Sequence, residues 1–164
     1  MNTMTHTADI SKTKLSENPL FEKLAKLVPI ALVFLALRID VAWQFYKAGL
    51  TKIAGVDWYF ILPVFEINSS THYLFESEYH VPFLPPETAA MLAAYGELIL
   101  PVFLFVGLAG RFSALLLFGL NVVAVISYFS GLWFTGLIDH LIWELFLLSL
   151  FVHGPGKISL DHLI

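Results

Sequence analysis

Four apolar stretches alternate with short polar breaks along this chain. Leu27 to Leu50 is mostly apolar and would make a helix of about 36 Å, enough to cross a bilayer core. Three further runs follow, at about 88–108, 112–133 and 137–152. The breaks "AGR" and "FTG" between them are tight turns, which makes the last three helices antiparallel neighbours. The simplest packing is an all-α four-helix transmembrane bundle. Residues 51–86 form a long external loop between the first two helices. Its segment "VDWYFILPVF" is too short to span, and Trp58 and Tyr59 suit a position at the membrane interface. Pro82, Pro85 and Pro86 then stop any helix and start the next.

The organisation expected is therefore a polar tail over 1–26, a membrane domain over 27–153 and a C-terminal tail over 154–164. Lys23 and Lys26 before "LVPIALVFLAL" have the shape of a signal peptide. The long polar lead, the lack of a small-residue cleavage site and the apolar pattern beyond Arg38 argue against it. No internal repeat is visible.

Composition settles the solvent. The 164 residues are 58% hydrophobic and 13% charged, against roughly 25% charged in soluble domains. The absence of cysteine excludes disulfides, thiolate metal sites and thiol catalysis. Charge position gives the orientation. With the N-terminus inside, inner segments hold Lys12, Lys14, Lys23, Lys26, Arg111 and Lys157, while the outer side holds Lys47 and Lys52. That bias predicts both termini inside.

Ionisable groups at mid-membrane cost roughly 2.5–3.5 kcal/mol each, so they need a partner or a purpose. Each helix has at least one polar residue at depth: Arg38, Glu97, Asn121, and the set Asp139, His140 and Glu144. Counting about 1.5 Å per residue from the outer boundary puts them roughly 11–18 Å deep, so one polar cluster could satisfy them all. Arg38 and Glu97 are the expected ion pair. The pair either locks two helices together or forms an anion-binding or proton-relay site. Pro101 removes the helical hydrogen bond to the carbonyl of Glu97, which predicts a kink and a free acceptor there. His140 and Glu144 share a helix face, and the carboxylate could fix the histidine tautomer for proton transfer. Two such residues do not make a metal site, and no metal is expected. On the first helix, Asp40, Gln44, Lys47 and Thr51 lie opposite Arg38, Phe45, Gly49 and Lys52. One face should meet the bundle, and the other the external loop or a second subunit. No phosphate-binding glycine loop, nucleophile elbow or haem-attachment motif is present, nor a basic patch for nucleic acid.

Several blocks together are similar to the DoxX family of small four-helix bacterial membrane proteins, over about residues 34–164. "LRIDVAWQFYKAGLTKI" resembles its first-helix pattern at Arg38, Gly49 and Lys52. "EYHVPFLPPETAAMLAAYGELILPVFLFVGLAGRFSALLL" resembles its second block at Pro82, Pro85, Pro86, Glu97, Pro101, Gly107 and Arg111. "DHLIWELFLL" resembles its fourth helix at Asp139 and His140, and "GPGKISLDHLI" its C-terminal signature at Gly154, Pro155, Gly156, Ser159 and Asp161. Asp40 and the stretch "DWYFILPVFEINSS" depart from the common pattern.

The family takes its name from a relative of the small subunit of a thiosulfate:quinone oxidoreductase. Other members are associated with redox-stress complexes or copper-handling peptides. The resemblance implies a multi-pass protein of the bacterial inner membrane, an accessory subunit of a quinone-linked redox or sulfur/oxidative-stress system. Bound quinone is the implied cofactor. Membrane lipid and a protein in a membrane complex are the implied partners, and homo-oligomerisation stays open. Arg38, Glu97, Asn121 and His140 would bind the quinone head, with Glu97, His140 and Glu144 as candidates to move its protons. The rival reading is a non-enzymatic anchor, chaperone or small-solute pathway for a metal-homeostasis system. Whether the chain is itself a catalyst is open on this reading.

Overall fold

The structure, a computed structural model, describes residues 29–59, 62–128 and 133–164. The expected polar tail over 1–26 lies outside the described residues. The fold is mostly helical, and three helices are long and apolar enough to cross a membrane. In chain order the elements are α1 (Ile30–Leu50), β1 (Ile53–Tyr59), β2 (Leu62–Ile67), α2 (Ser69–Ser77), α3 (Pro86–Val106), α4 (Gly110–Ser127), α5 (Phe134–His153) and α6 (Leu160–Leu163). The three apolar candidates are α3, α4 and α5. Arg38, Asp40 and Lys47 give α1 more charge than those helices carry.

The expectation of an all-α chain needs correction, because part of the long loop forms a β-hairpin. β1 and β2 pair antiparallel, with Val56 opposite Phe65 and Asp57 opposite Val64. Apolar residues too few to span a bilayer here satisfy their backbone groups by pairing with each other. The chain then enters α2, where the Asn68 side chain accepts a bond from the Thr71 N–H at 2.7 Å and caps the helix.

Local chemistry sets the ends of the long helices. Pro86 occupies the first turn of α3, where its missing N–H is harmless. Gly107, at φ +71°, ends that helix in the left-handed region, and the Leu108 N–H reaches back to the carbonyl of Phe103. α3 runs on through Pro101 as one helix. The carbonyl of Glu97, which the proline leaves without its N–H, lies against Gly49 of α1; a Cβ on Gly49 would come within 3.0 Å of it.

The four long helices lie side by side, α1 against α3 and α5, α4 against α3 and α5. One core, with Val41, Phe45, Leu104, Leu117, Leu147 and Leu150, fills the space between them. A second, smaller core sets Phe75 of α2 against Ala89 and Ala90 of α3. Outward faces carry exposed apolar side chains such as Val102, Phe105, Phe112, Ile126, Leu145 and Val152, as lipid-facing helices should.

The register between α1 and α3 decides which polar groups can meet. Gly49 lies beside Glu97 and Leu98, whereas the Arg38 side chain lies beside Gly107. Glu97 and Gly107 are ten residues apart, about 15 Å along the helix. The residues of α3 from Pro86 to Gly96 extend past Gly49, and the hairpin and α2 pack beside them in place of α1.

Candidate functional site

This register overturns the expected Arg38–Glu97 pair. Arg38 sits at the opposite end of the helices, donating from its two terminal nitrogens to the carbonyls of Pro155 at 2.9 Å and Ile158 at 2.8 Å. Glu97 pairs instead with Lys52, whose Nζ donates to Oε2 at 2.6 Å. An apolar boundary places a residue within its own span only, and α3 starts well beyond the end of α1. Arg38 and Lys52 share a face but stand fourteen residues apart, about 21 Å, so only one can reach Glu97.

Around Arg38 the C-terminal segment closes over the helix ends. The Asp161 carboxylate accepts from the N–H groups of Ala109 and Gly110, both at 2.7 Å, and so caps α4. The Asp161 N–H donates to the Gly107 carbonyl at 2.8 Å, and the Ser159 hydroxyl donates to that of Gly156 at 2.6 Å. The glycine at 107 is required twice over. Its backbone is left-handed, and a Cβ would fall 2.5 Å from that of Ser159. Arg38 is thus a clamp on backbone carbonyls.

Glu97 lies at the centre of a different, side-chain-rich layer. It is 6% exposed and borders a cavity of about 230 Å³ between α2, α3 and α4. Phe75, Tyr79, Leu84, Leu120 and Ser127 supply much of its wall. The Tyr79 ring stacks between those of Phe75 and Tyr128, with centroids 4.9 and 4.7 Å away. Burial first, then neighbouring Tyr128, Glu97 and Glu78, push the Tyr79 phenol up, so it stays a neutral donor at ordinary pH. The Ser127 hydroxyl is buried and has no hydrogen-bond partner among the described residues.

Across Glu97, a smaller cavity of about 40 Å³ is bordered by Gln44, Ala48, Glu97, Asn121 and His140, among others. Asn121, almost fully buried, organises its far side. Its Nδ2 donates to Glu144 Oε1 at 2.9 Å and to the His140 carbonyl at 3.1 Å, which leaves Oδ1 to accept from His140 Nδ1 at 2.6 Å. The carboxylate expected to hold the histidine does not touch it. Both residues reach across to Asn121 on α4, and the amide fixes the tautomer. His140 Nε2 is then the ring nitrogen free to accept a proton. Glu144 Oε2 is buried without a partner among the described residues.

Four of the expected residues, Glu97, Asn121, His140 and Glu144, therefore come together, while Arg38 and the exposed Asp139 stay apart. The two faces of α1 separate as the helical period predicts except at Gln44, which was expected on the outer face and instead is part-buried and borders the small cavity. Arg38, Phe45 and Gly49 are buried, and Asp40, Lys47 and Thr51 are exposed. Lys52, Tyr79 and Ser127 were missed as site residues. Lys52 carried a signal, since it shares the buried face of Arg38 and Gly49. Tyr79 and Ser127 carried none, because tertiary packing alone brings them to the cavity. Among the described residues, no group of three or more His, Asp or Glu side chains is placed to hold a metal ion.

An uncharacterized protein of Haemophilus influenzae is 33% identical over 136 residues, covering 79% of this chain and 82% of that protein. No solved structure matches. The DoxX family model matches residues 33–130, which include Arg38, Lys52, Glu97 and Asn121. That match takes in more than half of the chain, and the chain belongs to the DoxX family of membrane proteins.

Proposed function

We propose that this chain is an accessory subunit of a redox system in the bacterial inner membrane, and that it binds the ring of a quinone in the cavity beside Lys52 and Glu97. In this reading α1 crosses the membrane with α3, α4 and α5 as a four-helix bundle, with both termini inside. The observation that carries it is the unpartnered, buried Ser127 hydroxyl on a cavity that is otherwise mostly apolar and holds an ion pair. A buried polar atom without a partner is costly and calls for a ligand or water.

A quinone head suits that chemistry: a flat apolar ring with two acceptor oxygens, beside an aromatic wall and two donors. Lys52 and Ser127 are the residues that would hold its oxygens. Bound there, quinone would supply a carrier of two electrons and two protons. The chain's own contribution is to exclude water with Phe75, Tyr79 and Leu120, to place a cation at Lys52 and to hold or release a proton at Glu97. With no cysteine in the chain, we assign delivery of electrons to a partner protein in the same membrane complex.

The test is binding of a short-chain ubiquinone to the purified protein in lipid nanodiscs, followed by quenching of tryptophan fluorescence. Saturable binding should weaken at least tenfold, about 1.4 kcal/mol, in Lys52→Met and Ser127→Ala. Absence of saturable binding to the wild type would leave the anchor reading in its place.

A further inference from the structure

Glu97 belongs to two cavities at once, and this suggests a role beyond gripping a ligand. On one side it faces the ring-sized cavity with Lys52, Tyr79 and Ser127. On the other it faces the small cavity with Gln44, Asn121 and His140. A water needs roughly 10–15 Å³ of such space and two to four polar partners. The small cavity offers about 40 Å³, and Gln44, Glu97, Asn121 and His140 border it as polar residues. Phe45, Ala48, Leu120, Ala124 and Trp143 make the rest of the wall apolar, so the cavity has room for a single water held by those four polar residues.

We propose that Glu97 exchanges a proton with His140 through water in the small cavity, so that the ligand cavity and the Asn121–His140–Glu144 network share protons. The step balances simply. The Glu97 carboxyl gives its proton to the water oxygen, and the water gives one of its protons to His140 Nε2. The products are a carboxylate, the same water and an imidazolium with both ring nitrogens protonated. Asn121 is the positioning residue. Because its Nδ2 is committed to Glu144 and to the His140 carbonyl, it forces the His140 Nδ1–H outward to Oδ1 and leaves Nε2 as the base. The imidazolium would lie near Glu144, whose second oxygen has no other partner among the described residues. This deepens the quinone reading, and depends on it only for the identity of what sits beside Lys52.

Among the described residues, the groups bearing on His140 are few. They are Gln44 from α1, Glu97 with its partner Lys52, Asn121 from α4, and Asp139, Trp143 and Glu144 from its own helix. The test is the titration of His140, read by NMR of ¹⁵N-histidine-labelled protein in nanodiscs without ligand and assigned with His140→Gln. Glu97→Gln should move its midpoint by at least about 0.5 pH unit. Ala48→Leu should fill the small cavity without touching the ligand cavity, and in that background Glu97→Gln should no longer matter. If the leucine prevents folding, Gln44→Leu, which removes a polar partner of the water, should weaken the dependence instead. A His140 titration identical with and without the Glu97 carboxylate would overturn the proposal. So would a dependence on Glu97 that survives the filled cavity. Quinone binding measured on the same samples separates the two readings. Coupling without binding removes the quinone, and binding without coupling removes the proton route.

Discussion

The two ends of the helical body treat buried charge in opposite ways. At the end held by Arg38, charged groups bind backbone. The guanidinium grips two carbonyls, and Asp161 takes two N–H groups that begin α4. In the layer around Glu97, side chains bind side chains and two cavities adjoin them; among the described residues Ser127 and Glu144 keep atoms without partners, as Arg38 Nε does at the other end, where an open hollow also borders Asp161. Backbone partners cannot move away, so the first arrangement is a fastening. Side-chain partners next to open space can exchange protons and admit a ligand. Both regions looked alike as polar residues in apolar helices, and only the identity of their partners tells them apart.

Three substitutions press on that contrast. Arg38→Gln should have the largest effect, a loss of about 3 kcal/mol, since two carbonyls lose charge-assisted bonds. Thermal unfolding in detergent would show it. Arg38→Lys should recover less than half, because one ammonium cannot reproduce the fork. A fully stable Arg38→Lys protein would break the assignment of a clamp. Gly107→Ala should come next, at about 2 kcal/mol, from left-handed strain and contact with Ser159. Its unfolding midpoint should fall while ubiquinone affinity at the distant cavity stays within twofold. Ser127→Ala should have the smallest effect on stability, within about 0.5 kcal/mol of wild type, because its hydroxyl has no bond to lose. A loss above about 1 kcal/mol would mean that this hydroxyl is part of the fastening too.

Much of the helical frame was legible because lipid imposes a simple rule on sequence. Every spanning residue must satisfy its own backbone and most must be apolar, so apolar length reads directly as helix. The division of α1 into a buried and an exposed face followed from the helical period. The hairpin was harder to see, since a short apolar and aromatic stretch such as "VDWYFILPVF" fits a strand and an interfacial segment equally well. The partners of Arg38 and Glu97 were misread for a geometric reason. Sequence gives the position of a residue within its own helix, not the offset between helices. An error of ten residues in that offset exchanged Lys52 for Arg38. The grouping of Glu97 with Asn121 and His140 survived because each sits within a few residues of the middle of its own span. The backbone partners of Arg38 lie in a segment 117–120 residues away, beyond the reach of any local pattern.

That offset also shapes how the molecule meets its solvent. On the side of α3 and α4 the apolar wall continues past the level of Gly49. On the side of α1 it gives way to Thr51 and a hairpin bearing Asp57 and Glu66. In the orientation proposed above, the outer leaflet would meet a wall of unequal height. Lipids respond to such hydrophobic mismatch by thinning locally, or the protein responds by tilting. Either response would lower the leaflet beside the hairpin and keep it high beside α4, giving the protein a preferred lean and a preference among bilayers of different thickness.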